Sequence, residues 1–260
     1  MTEFRTAIVT GSTSGIGLAI ARSLAEAGHA VMMNGLGDPA AIEAERALIE
    51  AETSAPVAFH GANMADAAQI ADLVAATVAR FGQVDIVVNN AGIQTVAPIE
   101  EFPVDRYDLI MQINMSAAWH LCRATFGGMK ARGWGRVINV ASAHGLVASP
   151  YKSAYVMAKH AVVGLTKTLA LEGAEHGITA NAICPGYVLT PLVQAQIPET
   201  AKARGITEDE VIRDVLLAAQ PTKAFVQPGQ IGALAAFLCT AAAAQITGTA
   251  LPIDGGWTAH

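Results

Sequence analysis

At 260 residues and 26.8 kDa the chain is long enough to bury a large apolar core, which excludes a peptide or a small disulfide-stapled module. Its 16 basic and 22 acidic residues give a net charge of −6 and are spread along the sequence, so no cationic face offers itself to nucleic acid or to an anionic membrane. The hydrophobic fraction of 52% and mean hydropathy of +0.39 reflect abundant alanine; the most apolar stretch, 231–244, is shorter than the about 20 residues a bilayer requires and reads as a buried helix ahead of a buried strand.

The first residues, Met1 to Arg5, lack the basic and apolar regions of a secretory signal. Cys122, Cys184 and Cys239 are odd in number and far apart, so free thiols in a reducing cytoplasm are expected, with no metal site. Short β-branched runs then alternate with helical patterns, which predicts a parallel sheet covered by helices on both faces. Residues 6–10 form the first strand, and Ile16, Ile20 and Leu24 mark a helix over 16–27, closed by Gly28. A strand at 30–33 precedes Asp38-Pro39, an N-cap and first-turn proline for a helix reaching Glu52. Strands at 57–59, 85–88, 136–140, 179–183 and 250–253 complete about seven, separated by helices over 66–81, 105–131 and 155–172. No repeat, low-complexity tract or linker interrupts the pattern, so a single domain over 1–260 is expected. Ligands bind at the carboxyl ends of parallel strands, which makes the 187–220 insertion after strand six an expected lid, ordered in part by a Thr207/Glu210 capping box.

Two patterns carry chemistry. Thr10-Gly11-Ser12-Thr13-Ser14-Gly15-Ile16-Gly17 joins the first strand to the first helix, where glycines let the backbone approach a pyrophosphate and the helix N-terminus attracts it; an ordinary tight turn uses the same glycines. Tyr155 and Lys159 lie one turn apart on a helix, and an ammonium beside a phenol favours the phenolate, lowering its pKa from about 10 toward a working general acid/base. Ser142, just past strand five, is placed to hydrogen-bond the reacting oxygen. Tyr-x-x-x-Lys on its own recurs by chance in many helices.

Taken together with Asn89-Asn90-Ala91-Gly92, Asn114 and Pro185-Gly186, these patterns resemble the short-chain dehydrogenase/reductase family along essentially the whole chain. The resemblance implies an α/β Rossmann domain, a nicotinamide cofactor and a tetrad of Asn114, Ser142, Tyr155 and Lys159. In that family the tyrosine exchanges the proton, the serine orients the substrate oxygen, the lysine also holds the nicotinamide ribose, and the asparagine supports a water relay through a bend in its helix. It further implies cofactor contacts from Gly11, Thr13, Ser14, Gly15, Ile16 and Gly17 in the first turn, and from Gly35, Leu36, Asn63, Met64, Asn90 and Gly92. Later contacts come from Pro185, Gly186, Val188 and Thr190. It also implies a homotetramer built on the long helices.

No basic residue lies between Arg22 and Arg46 to pair a ribose phosphate, so NAD is expected rather than NADP. Gly35 stands where NAD-binding members commonly carry an aspartate; Asp38 is left either to reach the ribose or to cap its helix, and backbone amides at Gly35 and Leu36 offer an alternative. Around the tetrad, Gln94, His144, Lys152 and Gln196 have no evident packing role, and a lysine with histidine and amide donors suits the carboxylate of a small hydroxy acid. Each also reads as an ordinary surface or loop residue. The runs at 89–94, 141–149, 152–155, 242–249 and 254–259 resemble the branch of the family that oxidises (R)-3-hydroxybutyrate. That resemblance implies a carboxylate clamp of Gln94, His144, Lys152 and Gln196, with Ser142 and Tyr155 on the hydroxyl. Tyr187 replaces a tryptophan of that branch, and Trp257 either walls the pocket or packs structurally. A reductase of 3-oxoacyl carriers or polyols, and a dinucleotide sensor without catalysis, are the alternatives.

Overall fold

The computed structural model describes residues 5–259. Seven strands, β1 (Thr6–Val9), β2 (Ala30–Asn34), β3 (Val57–His60), β4 (Ile86–Asn89), β5 (Gly135–Val140), β6 (Ile178–Pro185) and β7 (Ala250–Ile253), form one parallel sheet in the order β3-β2-β1-β4-β5-β6-β7. Chain order reverses between β1 and β4, which opens a crevice beyond their carboxyl ends.

Strand residues alternate between two cores because successive side chains point to opposite faces. Ala7 and Val9 join Ile20, Leu24, Ile231 and Leu238 on one side, whereas Ile8 joins Ile70, Leu73 and Leu121 on the other. Covered on both faces, β1, β2, β5 and β6 are buried throughout. β7 departs from the expected buried strand: it is paired only with β6, is half-exposed, and places Pro252 at the surface, where a missing N–H leaves no ladder bond unmade.

Helices α1 (Gly15–Glu26), α2 (Pro39–Thr53) and α3 (Ala67–Phe81) fall close to their expected places. Asp38 caps α2 by accepting from the Ala41 N–H at 3.0 Å, and Asp66 caps α3, which is why that helix begins one residue late. The expected helix over 105–131 is instead three pieces: α4 (Val104–Met111), a π turn over Gln112–Ser116, and α5 (Ala117–Arg132). After α6 (Ser153–Gly173), the 187–220 insertion holds α7 (Pro191–Arg204) and α8 (Glu208–Glu210), the latter opened by the reciprocal Thr207/Glu210 capping box and continued as a π turn. Finally, α9 (Pro228–Leu238) packs against α1 so closely that a Cβ on Gly232 would stand 2.4 Å from Ser23 Oγ. Small residues here permit backbone approach, which is the use this chain makes of its alanine and glycine content. Among the described residues no helix is long and apolar enough to cross a membrane.

Candidate functional site

The crevice between β1 and β4 is built from the glycine turn. Gly11 and Gly15 have φ of +62° and +55°, in the left-handed region that favours glycine, and a Cβ on Gly17 would lie 2.2 Å from the Gly11 carbonyl oxygen. Asn90 crosses from the β4 side and donates through Nδ2 to the carbonyls of Thr10 and Gly11, at 2.9 Å each. Thr10 Oγ1 in turn accepts from the Asn90 and Ala91 N–H groups, and Ser12 ties the turn to the end of β2. Ser14 makes no side-chain cap and the first turn of α1 carries no acid, so its amide dipoles are left to an external anion. Gly17 lets the helix close onto the Gly11 carbonyl and the Asn90 amide, and the turn it completes, with the free amides of α1, fits the pyrophosphate of a dinucleotide. Thr190, the N-cap of α7, faces it: a Cβ on Gly15 would stand 3.4 Å from the Thr190 methyl.

Beyond the turn, the loop after β2 has a compact reason for its glycine. A Cβ on Gly35 would fall 2.7 Å from Thr13 Cγ2, while Thr13 Oγ1 donates to the Leu36 carbonyl at 3.2 Å. The nearest cations are committed elsewhere, Arg22 to Glu52 and Arg46 to Glu43 and Glu50. Asp38 is occupied as the α2 cap. Met64 is buried in the core rather than presented to the crevice, because the 61–66 loop turns its side chain onto the apolar face of α3. Asn63 is exposed; its N–H donates to Gln69 Oε1 on α3 and its Oδ1 accepts from the Ala65 N–H.

At the carboxyl end of β5, Ser142 is buried and its Oγ accepts from the His144 N–H at 3.1 Å. Tyr155 and Lys159 reach the same place from one face of α6. Lys159 Nζ donates to the Val140 carbonyl at 2.7 Å and lies 5.6 Å from the Tyr155 ring centroid. Burial pushes the Tyr155 phenol up, the Ser142 hydrogen bond draws it back only in part, and Tyr187 adds to the rise. Lys159 is itself desolvated and brought down to about 8.

Asn114 sits within the π turn, buried, with its side chain closed on Ile93: Nδ2 donates to the Ile93 carbonyl and Oδ1 accepts from the Ile93 N–H, both at 2.8 Å. A cavity of about 10 Å³, lined by Thr10, Asn89, Asn114, Val140 and Lys159 among others, separates the asparagine from the lysine. That is room for roughly one water with polar partners on several sides.

Next to Tyr155 lies an aromatic pocket. His144 meets Tyr155 and Trp257 edge-on, with centroids 6.0 and 5.0 Å apart, and Trp257 stacks on Tyr187 at 5.8 Å with the planes 4° from parallel. Lys152 Nζ stands 5.7 Å from the Tyr187 ring centroid. Burial, helped by the charge of Lys152, lowers His144 to about 4, and its Nε2 pairs with Ser149 Oγ at 2.8 Å. His144 is therefore a neutral hydrogen-bonding group near neutral pH. Gln94 lies exposed on the loop after β4, and Gln196 falls on α7 at a position whose side chain lies outside the described residues.

Three further residues help build the site. Gln220 is buried and accepts from the Tyr187 N–H; Asp254 folds the C-terminal turn by accepting from Gly256 N–H and Thr258 N–H; Thr10 locks the glycine turn. Thr10 and Asp254 belong to runs the sequence already marks, whereas Gln220 carries no signal because the Tyr187 N–H it accepts from is distant in sequence.

The family model described as short chain dehydrogenase matches residues 5–201. A D-beta-hydroxybutyrate dehydrogenase of Rhizobium meliloti is 55% identical over 256 residues, covering 98% of this chain and 99% of its own. Another of that description, from Cupriavidus necator, is 52% identical over 260 residues and covers 100% of both chains. Among solved structures, a variant of actinorhodin polyketide ketoreductase with NADPH matches with a TM-score of 0.91 at 32% identity, covering 99% of this chain and 98% of that one.

Proposed function

The chain belongs to the short-chain dehydrogenase family, and on that premise we propose that it oxidises (R)-3-hydroxybutyrate to acetoacetate with NAD. The observation that carries the substrate is the convergence of Lys152 and His144 on the Tyr187–Trp257 stack beside Tyr155. A cation over an aromatic wall that continues through Trp257 and His144 to the acid/base suits a short hydroxy acid with a methyl at one end and a carboxylate at the other.

In this reading Tyr155, as phenolate, takes the hydroxyl proton while the C3 hydrogen departs with its electron pair, leaving the ketone. Bound NAD supplies the acceptor for that hydride. Ser142 donates to the substrate oxygen, and Lys152 holds the carboxylate, with Gln94, His144 and Gln196 completing the clamp. The proton on Tyr155 returns to solvent past Lys159 and through the cavity beside Asn114. Fixing the carboxylate fixes which face of C3 is presented, so the clamp sets stereochemistry as well as affinity.

We assign the dinucleotide to Gly11, Thr13, Ser14, Gly15, Ile16 and Gly17 at the pyrophosphate, with Gly35, Leu36 and Asn63 toward the adenosine. Met64 contributes there through its backbone. Asn90, Gly92, Pro185, Gly186, Val188 and Thr190 lie along the nicotinamide half with Tyr155 and Lys159. The pairing of Arg22 and Arg46 with carboxylates supports NAD over NADP. We further propose that the chain acts as one domain with 187–220 as its lid, as a homotetramer, in the cytoplasm. NADH formation measured with (R)- and (S)-3-hydroxybutyrate, lactate, malate and a neutral secondary alcohol tests the reading; activity confined to the (R) hydroxybutyrate is expected, and a preference for the neutral alcohol would overturn it.

A further inference from the structure

Gln220 lies at the root of the 187–220 segment, fully buried. Its Oε1 accepts from the Tyr187 N–H and its Nε2 donates to the Ala224 carbonyl at 2.9 Å. One amide thus joins the chain leaving β6 to the chain returning from the segment. The return is tight: Lys223 holds φ at +49°, and its Nζ donates to the Leu217 and Ala218 carbonyls at 2.9 Å each.

Two glycines make room for the amide. A Cβ on Gly186 would stand 2.3 Å from Gln220 Oε1, and one on Gly255 would stand 3.3 Å from Nε2. Gly255 belongs to the C-terminal turn, and its carbonyl accepts from the Thr222 N–H at 3.2 Å. Gln220 therefore occupies the junction of three segments: the one bearing Tyr187, the return at 220–224, and the turn bearing Trp257.

We propose that Gln220 is a positioning residue, fixing the Tyr187 backbone so that its ring stands between the Lys152 cation and the Trp257 indole. The inference rests on the reading of that pocket as the hydroxy-acid site. A backbone N–H left without a partner where water reaches it poorly is costly, so removing the amide forces the half-buried residue 187 to shift toward a new partner, and the stacked ring shifts with it, while the exposed Ala224 carbonyl turns to solvent. A neutral amide is required because it accepts and donates at once. An apolar side chain of similar length does neither, and an ionised carboxylate only accepts.

Gln220→Met removes both bonds at similar volume. With it, the KM for (R)-3-hydroxybutyrate is expected to rise about tenfold or more while the Kd for NADH stays within about twofold. In a Trp119→Phe, Trp134→Phe background, where Trp257 is the remaining indole, emission is expected to move to longer wavelength. An unchanged KM or an unchanged Trp257 emission overturns the proposal. Gln220→Glu provides a second arm that serves even if the methionine variant does not fold. Protonated, its carboxyl again accepts from Tyr187 and donates to Ala224, so its KM relative to wild type should fall as pH is lowered; a ratio flat with pH overturns the role. If the wild-type protein oxidises no hydroxybutyrate, the substrate reading fails, and Trp257 emission alone decides for or against Gln220.

Discussion

Lys159 and Val140 are joined by a 2.7 Å hydrogen bond from the ammonium to the strand carbonyl, and the same ammonium lies 5.6 Å from the Tyr155 ring centroid. Burial holds the phenol above its ordinary range. Oxidation needs the phenolate, so its rate should rise with pH, by about tenfold per unit below the apparent pKa, while acetoacetate reduction, which needs the phenol, should stay level below that pKa and fall only above it. Initial rates in both directions across neutral to alkaline pH check the sign. Tyr155→Phe should retain NADH binding and lose turnover by about 10²–10⁴-fold.

Lys152 stands at the wall of the pocket, half-buried over Tyr187, with its pKa lowered by burial. Lys152→Ala should reduce kcat/KM for (R)-3-hydroxybutyrate by about 10- to 100-fold. A neutral secondary alcohol should lose far less. Equal losses on both would remove Lys152 from the carboxylate clamp.

His144 is neutral in the folded protein down to about pH 4, whereas in the unfolded chain it protonates near 6.5. A histidine with a depressed pKa contributes stability above the unfolded value and loses it as pH falls through the window from 6.5 to about 4. His144→Gln, neutral at every pH, should flatten that part of the stability profile by on the order of 1 kcal/mol, read as a smaller drop in Tm on acidification.

The space at Gly35 is taken by Thr13. Gly35→Asp, the acid commonly used to hold an NAD ribose, should therefore weaken NADH binding by about fivefold rather than strengthen it. Adding Thr13→Ala should restore binding to within about twofold. Fluorescence titration with NADH measures both, and tighter binding by the single variant would show that the clash is relieved at no cost.

Much of the architecture is written locally. Asp38-Pro39, the Thr207/Glu210 box and the Ile16–Ile20–Leu24 spacing each name a helix through contacts within a few residues. Tyr155 and Lys159 are placed one turn apart on a helix by their spacing, whereas Asn114 is singled out only by the family resemblance. What escapes is set across the fold. The Met64 side chain is drawn into the core by residues on other elements, which no local pattern names. Burial, the largest influence on the Tyr155 phenol, is likewise set by elements distant in sequence. α7 lacked a legible apolar face and carries Pro198 internally, so only Thr190 and Pro191 mark its start.

The π turn at 112–116 bears on how this chain tolerates changes in length. A π turn is an α-helix holding one supernumerary residue in a single turn. Deleting one residue there restores the regular ladder and leaves α4 and α5 free to keep their packing, but it takes Asn114 away from Ile93 and from the cavity beside Lys159. At this one turn a change in residue count is therefore felt first by the Ile93 loop and the cavity, before it reaches either flanking helix.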